Sequence, residues 1–152
     1  MTTKTKTAST AATNSEVVKQ NAAEKQSSAR GNKRQQMGRR GEDAACEFLV
    51  RRGMKIIDRN WKCGYGEADI IATEGKTLVF CEVRTKSNFG KGSPAESITY
   101  KKRERYYKLI HVYRSRTAIR HNSVRFDFIG IYVNKDRQKA RLHYIRNAYG
   151  ND

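Results

Sequence analysis

The 152-residue chain has little negative charge, few sulfur ligands and no long apolar segment. It carries 15 Asp and Glu against 32 Lys and Arg, which gives a formal net charge of +17. Its longest apolar runs are far shorter than the roughly 18 residues that a membrane span requires, and no charged-then-apolar leader opens the sequence. These absences argue against a membrane protein and predict a soluble, cytoplasmic one.

Sulfur and nitrogen ligands are also scarce. The three cysteines, Cys46, Cys63 and Cys81, lie far apart without a CxxC pair, so they fit neither a disulfide framework nor a zinc knuckle. The three histidines lack metal-ligand spacing, and no glycine-rich phosphate loop, nucleophile elbow or HExxH motif is present. A reducing compartment is the simpler interpretation.

The positive excess is the strongest global signal. Self-repulsion of this size works against a compact state, so such sequences usually serve polyanions, with nucleic acid ahead of anionic membranes and acidic proteins. Charge does not say what happens to the polyanion. A metal-dependent nuclease and a basic module that only binds nucleic acid both stay open at this point.

Residues 1–36 differ in composition from the rest of the chain. They contain no aromatic residue, and Val17 and Val18 are their only aliphatic side chains larger than Ala. Such a segment cannot bury enough apolar surface to offset chain entropy. We therefore predict a disordered basic arm over 1–36, either contacting phosphates or inert, and a folded domain over 37–152. The arm carries a net charge of +5, which leaves +12 on the folded domain.

Apolar periodicity predicts seven elements in the order αβββαββ. A short helix follows Gly41 and ends near Gly53, and a second helix starts at the capping sequence 93–96 and runs to about Arg116. The predicted strands are 54–60, 67–73, 77–84, 124–133 and 140–145. This order suits an α/β protein in which a mixed central sheet is flanked by helices.

A tight turn at Gly75 and Lys76 joins the second and third predicted strands. In the register that this turn fixes, Asp69 lies opposite Glu82. Facing residues on antiparallel strands have Cβ atoms about 5 Å apart, a distance at which two like charges destabilise the pair. A cation is therefore expected between the two carboxylates.

Two kinds of cation suit this position. Arg84 shares a face with the pair, because residues two apart along a strand point the same way, and Glu67 is expected opposite it. A hard divalent ion, Mg²⁺ or Mn²⁺, bound by Asp69 and Glu82 is the other; it would activate a water and neutralise charge on a phosphate oxygen. An ordinary Glu67–Arg84 pair beside a solvated Asp69 is the structural alternative.

Seven blocks carry a resemblance to a known family: GRRGEDAA at 38–45, RNW at 59–61, GEADIIA at 66–72, LVFCEVRT at 78–85, SP at 93–94, RFD at 125–127 and IRNAY at 145–149. In this order and spacing they resemble the YraN family of small bacterial proteins. The resemblance covers residues 38–149 and implies a restriction-endonuclease-like fold for the domain 37–152.

The resemblance also implies a nuclease site on this chain. The acid…acid…acid-x-cation pattern of such nucleases falls on Glu42, Asp69, Glu82 and Arg84, with Glu42, Asp69 and Glu82 as metal ligands for Mg²⁺ or Mn²⁺. The last position is usually Lys in active nucleases of this fold, and it is Arg84 here. Lys102, which matches a family lysine early in the second helix, is a candidate for the missing cation, with a buried stem and solvated head as the alternative.

After its capping sequence, the second predicted helix is strongly basic, with seven Lys and Arg against one acid, Glu104. We expect phosphate contacts near the carboxylates, although a solvated helix face is the alternative. The expected phosphate-binding residues are Lys86, Lys101, Lys102, Arg103 and Arg105.

Together these observations favour a Mg²⁺- or Mn²⁺-dependent phosphodiesterase that acts on DNA. Branched or single-stranded substrates are preferred, because no base-reading helix is evident. A nucleic-acid-binding module that keeps the fold without turnover is the alternative. Symmetric DNA junctions would call for a homodimer.

Overall fold

The structure, a computed structural model, describes residues 14–87, 98–134 and 138–150. The chain divides into two units, Met1–Gln36 and Met37–Asp152. The element order αβββαββ and the α/β class predicted from the sequence are confirmed. The elements are α1 (Asn14–Arg51), β1 (Lys55–Cys63), β2 (Gly66–Glu74), β3 (Thr77–Lys86), α2 (Tyr100–Arg116), β4 (Ser123–Asn134) and β5 (Lys139–Ile145).

Helix α1 is much longer than the short helix predicted after Gly41. It spans 38 residues and begins well before the predicted start; the disordered arm over 1–36 stays a prediction, and 1–13 lie outside the described residues. Residues 27–36 are exposed throughout. The helix here therefore depends on the high helix propensity of Ala, Gln, Lys and Arg, which an argument from apolar burial alone does not weigh.

The C-terminal end of α1 is closed as the sequence predicts. Gly53 has a φ of +85°, a left-handed conformation that favours glycine. Its N–H donates to Val50 O at 2.9 Å, and the N–H of Met54 donates to Leu49 O at 3.1 Å. This pair of bonds is a Schellman cap, and it directs the chain from α1 into β1.

The five strands form one mixed sheet in the order β1-β2-β3-β4-β5. Strands β3 and β4 are parallel and joined through α2, while the other neighbours are antiparallel. All five predicted strands are confirmed. Strand β3 lies between β2 and β4 in the middle of the sheet, and apolar residues pack on both of its faces.

The two faces of β3 belong to two apolar clusters. The first contains Ala45 and Leu49 of α1 and the odd-numbered β3 residues Val79, Cys81 and Val83. The second contains the even-numbered β3 residues and the inward side of α2: Leu78, Phe80, Tyr106, Leu109 and Tyr113. One helix therefore packs on each face, and the next even-numbered positions of β3 point toward α2.

Helix α2 begins later than predicted and ends where predicted, at Arg116. Thr99 is its N-cap, with extended backbone and a hydroxyl that accepts a hydrogen bond from Lys102 N at 3.4 Å. The predicted helix start at 93–96 lies outside the described residues, but a helix that continues from there through 98 and 99 is not observed, because these two residues are not helical. A threonine hydroxyl is a good N-cap acceptor, and the sequence analysis did not consider Thr99.

A buried network holds β4 to its neighbours. Asp127, with none of its surface exposed, accepts hydrogen bonds from Arg125 Nε at 2.8 Å, Tyr144 Oη at 2.6 Å and the N–H of Asn147 at 2.9 Å. Arg125 also reaches Glu74 Oε2 at 2.5 Å. Both oxygens of Asp127 are thus paired, so Asp127 is a structural partner of Arg125.

Membrane crossing by a helix is not supported. Neither α1 nor α2, as far as the structure describes them, has an apolar stretch of sufficient length.

Candidate active site

The carboxylate pair lies where β2 and β3 stop pairing. The predicted register is confirmed from the Gly75–Lys76 turn as far as Ile70 and Cys81. At the next position, Asp69 Oδ2 accepts the backbone N–H of Val83 at 2.7 Å. A side-chain oxygen therefore takes the place that a main-chain carbonyl occupies elsewhere in the ladder, and the carboxylate of Asp69 is held between the two strands.

Asp69 is in an environment that disfavours its charged form. Burial, together with the nearby carboxylates of Glu82 and Glu42, raises the pKa of Asp69 from 3.8 to about 6, although the Val83 amide and Arg84 act in the opposite direction. Desolvation and like charge both penalise a carboxylate. Glu82 and Glu42, predicted from the sequence as partners of Asp69, are therefore close enough to disfavour its charged form.

Glu82 is almost fully buried, with 2% of its surface exposed. It follows Leu78 and Phe80 in the alternation along β3, so it points toward α2. Two cations meet at Glu82 Oε1: Arg84 at 2.5 Å and Lys102 at 3.0 Å. The expectation that Arg84 shares a face with Glu82 agrees with this contact.

Lys102 reaches this site from the first turn of α2. Its side chain is 24% exposed, and its ammonium is bonded to Glu82. The aliphatic part of Lys102 is thus largely buried, as the structural alternative expected. Its ammonium pairs with Glu82, as the site prediction expected. A lysine that is 20 positions away in the sequence lies beside the same oxygen as Arg84.

The expected Glu67–Arg84 cross-strand pair does not form. Strand β2 pairs Glu67 with Lys62 of β1, and Glu67 Oε2 lies 3.4 Å from Lys62 Nζ. The β2–β3 ladder ends before Glu67 is reached. Arg84 therefore does not pair with Glu67 and contacts Glu82 instead.

Glu42 approaches the site from α1. Its carboxylate accepts a hydrogen bond from Asn60 Nδ2 at 3.0 Å and lies 4.0 Å from Arg59. Asn60 has a φ of +51°, a left-handed conformation that Asn tolerates better than most residues. The sequence interpretation did not assign Asn60 to the site, although its amide orients Glu42; the polar residues Arg59 and Asn60 inside a predicted strand are the sequence signal for it.

A close approach of α1 to β3 sets the position of Glu42. A Cβ atom on Gly41 would collide with Thr85 Oγ1, so only glycine fits there. Thr85 Oγ1 is buried without a hydrogen-bond partner among the described residues. Gly41 therefore places the following residue, Glu42, next to the end of β3.

Tyr106 is a further residue that the sequence interpretation did not assign to the site. It lies on the buried side of α2, and burial, followed by the Glu82 and Asp69 carboxylates, raises the pKa of its hydroxyl well above the ordinary value. The group is therefore a permanent donor beside the two acids. Its place in the apolar spacing of α2 indicates core packing, so the sequence does not show that Tyr106 lies near the two acids.

The donor atoms at the site suit a hard divalent ion, although the conformation is not that of a complete metal cage. Within the described ranges, no three or more Asp, Glu, His or Cys side chains are grouped closely enough to hold a metal ion. Carboxylates are nevertheless the ligands that Mg²⁺ prefers, usually one or two per ion. Asp69 and Glu82 meet that requirement, and Glu42 is close enough to contribute to the raised pKa of Asp69.

The remaining basic residues predicted to bind phosphate lie at the end of β3 and on α2. Lys86, Lys101 and Arg105 are exposed, and Arg103 is partly buried. Lys102, from the same predicted set, is paired with Glu82.

The architecture and the site define a class of protein. A five-stranded mixed sheet with a helix on each face, and acids grouped at the end of two central strands, is a restriction-endonuclease-like α/β fold. The chain belongs to the family described as uncharacterised protein family UPF0102, the YraN family, whose profile matches residues 41–131. The resemblance inferred from the seven sequence blocks is confirmed.

Relatives from several organisms match about three quarters of this chain over nearly their whole length. A UPF0102 protein of Rhodococcus opacus (strain B4) is 44% identical over 114 residues, which cover 74% of this chain and 95% of the relative. A UPF0102 protein of Dictyoglomus turgidum is 36% identical over 114 residues, with coverages of 75% and 97%. One of Caldicellulosiruptor saccharolyticus is 37% identical over 118 residues, with coverages of 78% and 99%.

Proposed function

We propose that this protein is a Mg²⁺- or Mn²⁺-dependent phosphodiesterase that cleaves DNA. The placement of Asp69 and Glu82 carries the proposal: the Asp69 side chain is held by the Val83 amide where β2 and β3 stop pairing, Glu82 is almost fully buried, and burial with nearby acids raises the pKa of Asp69. Proteins concentrate such perturbed groups at functional sites. A divalent ion bound there would remove the penalty, and the net charge of +17 favours a polyanionic substrate.

Each residue has a role in this proposal. Asp69 and Glu82 hold the ion, and Glu42 supports it. When bound, the ion supplies an activated water and neutralises charge on the phosphate. Arg84 and Lys102 stabilise the phosphate electrostatically; Arg84 is always protonated and serves as a charge, not as a base.

A second candidate function has its own observation. Glu82 Oε1 is already contacted by both Arg84 and Lys102, so this acid is neutralised without a metal. A nucleic-acid-binding module that keeps the fold without turnover would have this arrangement. A nuclease requires the two side chains to move from the acid toward the phosphate when the ion binds.

A cleavage assay separates the two candidates. Purified full-length protein is incubated with supercoiled plasmid, a single-stranded oligonucleotide and a branched junction in Mg²⁺, in Mn²⁺ and in EDTA. We expect metal-dependent cleavage that Asp69→Asn reduces by at least about 100-fold, while Glu47→Gln, an exposed acid of α1 (69% of its side chain), cleaves normally. Equal cleavage by Asp69→Asn and wild type would exclude the catalytic assignment.

Binding measurements complete the comparison. Wild-type protein that binds all three substrates with unchanged affinity in EDTA and Mn²⁺, and cleaves none, is a binding module. Metal binding itself is followed by calorimetric titration of Mn²⁺ into wild type, Asp69→Asn and Glu47→Gln. Cytoplasmic location and a homodimer remain predictions, the latter testable by light scattering with and without a junction.

A further inference from the structure

A cavity of about 480 Å³ lies between α2, β4 and the C-terminal turn, on the α2 side of the sheet. We call it the α2–β4 cavity. Its volume is within the range of small-ligand sites. The lining residues used in the following argument are Tyr106, Tyr107, Ile110, Arg114, Phe126 and Tyr149.

Aromatic rings form one side of the α2–β4 cavity. The ring of Phe126 contacts those of Tyr106 and Tyr149, with centroid distances of 4.1 and 4.3 Å, and the Tyr106 and Tyr149 centroids are 6.2 Å apart. The hydroxyl of Tyr149 is buried and has no hydrogen-bond partner among the described residues. The aromatic side of the cavity favours a planar ligand.

The exposed rim of the cavity adds a further ring and positive charge. Tyr107 is 55% exposed, and the guanidinium of Arg103 lies 5.6 Å from its ring centroid. Arg114 is exposed and lines both this cavity and a neighbouring one of about 470 Å³, with Tyr107 and Ile110 also shared. No acid is among the described residues that line either cavity, so a ligand with a negative group is complementary.

The α2–β4 cavity is adjacent to the acidic site through Tyr106. Tyr106 lines the cavity, and the Glu82 and Asp69 carboxylates help to raise the pKa of its hydroxyl. A strand whose phosphate is at the carboxylates therefore has a neighbouring nucleotide near the cavity. A paired base cannot enter, because its edge and both faces are occupied within the duplex.

We infer that the α2–β4 cavity receives the base of one unpaired nucleotide, with Arg114 holding a phosphate of the same strand. The aromatic side of the cavity and its rim both support this assignment, because bases stack on aromatic side chains and arginine binds phosphate. The inference rests on the proposed function for the choice of DNA as the strand. It adds that the substrate carries an unpaired position.

The test is a binding measurement without metal, so a lack of cleavage cannot affect it. Fluorescence anisotropy is recorded in EDTA with a labelled oligothymidylate of about twelve nucleotides and with a duplex of equal length. The variants are Tyr107→Ala, Ile110→Trp, which fills the cavity, and Arg114→Ala. The matched controls on the same helix are Tyr100→Ala, 72% exposed, and Arg116→Ala, also exposed, neither of which lines the cavity.

We expect Tyr107→Ala and Ile110→Trp to weaken oligothymidylate binding about tenfold and duplex binding by less than about twofold. Arg114→Ala should weaken binding more than Arg116→Ala does. Thermal unfolding checks that each variant folds; if Ile110→Trp does not, the two tyrosine and two arginine variants still decide the question. Equal losses on both DNA forms, or equal losses in variants and controls, would overturn the inference.

A free nucleotide is the other source of the same chemistry. Excess dTMP is therefore added to the wild-type complex with oligothymidylate. Little displacement is expected, because a single nucleotide lacks the flanking phosphate contacts. Full displacement at concentrations near those of the oligonucleotide would assign the cavity to a mononucleotide and contradict the strand-binding inference, while leaving the proposed cleavage site untouched.

Discussion

Lys102 Nζ lies 3.0 Å from Glu82 Oε1, and this ion pair joins the first turn of α2 to the end of β3. The strand itself supplies Arg84 to the same oxygen. A lysine ammonium is compact and strongly hydrated, whereas a guanidinium is planar and delocalised. The site therefore contains a lysine charge beside its second acid even though the local sequence motif ends in arginine.

The first prediction concerns this lysine. Lys102→Met keeps most of the stem but leaves Glu82 with Arg84 as its remaining contact, so the negative field at Asp69 increases. We expect the pKa of Asp69 to rise above about 6 and the free energy of unfolding at neutral pH to fall by about 1 kcal/mol. The measurements are carboxyl-carbon NMR titration and denaturant unfolding.

Lys101→Met is the matched control for Lys102→Met. Lys101 is the preceding residue of α2 and is exposed, so both the pKa of Asp69 and the stability should stay close to wild type. If the two variants shift the pKa of Asp69 equally, the effect comes from net charge and the Glu82 contact is not responsible.

The second prediction follows from the raised pKa of Asp69. The folded protein binds this proton more tightly than the unfolded chain does, so the contribution of Asp69 to stability is highest below its ordinary pKa of 3.8 and is lost as the pH rises through about 6. Asp69→Asn removes the charge and keeps an acceptor for the Val83 amide. We expect the variant to be more stable than wild type by about 3 kcal/mol at pH 8 and equal to it below pH 3.8.

Denaturant unfolding across this pH range measures the difference, with Glu47→Gln as the exposed control. A stability difference between Asp69→Asn and wild type that does not change with pH would mean that packing, not charge, is responsible. A stabilised variant that has lost activity is the usual signature of a residue kept for function.

The sequence was most informative where structure is local. The Gly75–Lys76 turn fixes the register of β2 and β3 as far as Ile70 and Cys81, so counting residues locates Asp69 and Glu82 one position beyond the ladder. The cap at Gly53 is equally local. Both depend on backbone conformations that only a few residue types adopt.

Tertiary contacts explain what the sequence did not predict. The end of the β2–β3 ladder arises because the Asp69 side chain replaces a main-chain acceptor, and no period in the sequence encodes that substitution. Asn60 bonds Glu42 across 18 positions, which depends on how α1 packs. Helix α1 extends into a part of the chain where large apolar residues are scarce, so hydrophobic patterning alone predicted too short a helix.

The third prediction tests the close contact between α1 and β3. Gly41→Ala puts a methyl group into Thr85 Oγ1, and we expect a loss of about 2 kcal/mol in unfolding free energy. Thr85→Ala removes an unpaired buried hydroxyl and should be close to neutral. The double variant should recover most of the loss, giving a coupling energy of about 1 kcal/mol or more in a double-mutant cycle. Additive losses would show that the two residues are not in contact.

The fourth prediction separates the structural acid from the site acids. Asp127→Asn leaves Arg125, 9% exposed, with a neutral partner in place of a carboxylate, and we expect a loss of about 3 kcal/mol in unfolding free energy. Tyr144→Phe removes one of the bonds to Asp127 and should cost about 1 kcal/mol. Both variants should keep wild-type DNA cleavage per folded molecule at a temperature where they remain folded. Loss of cleavage in the stable Tyr144→Phe variant would place the Asp127 network in the catalytic machinery, because a purely structural bond affects only the fraction of folded protein.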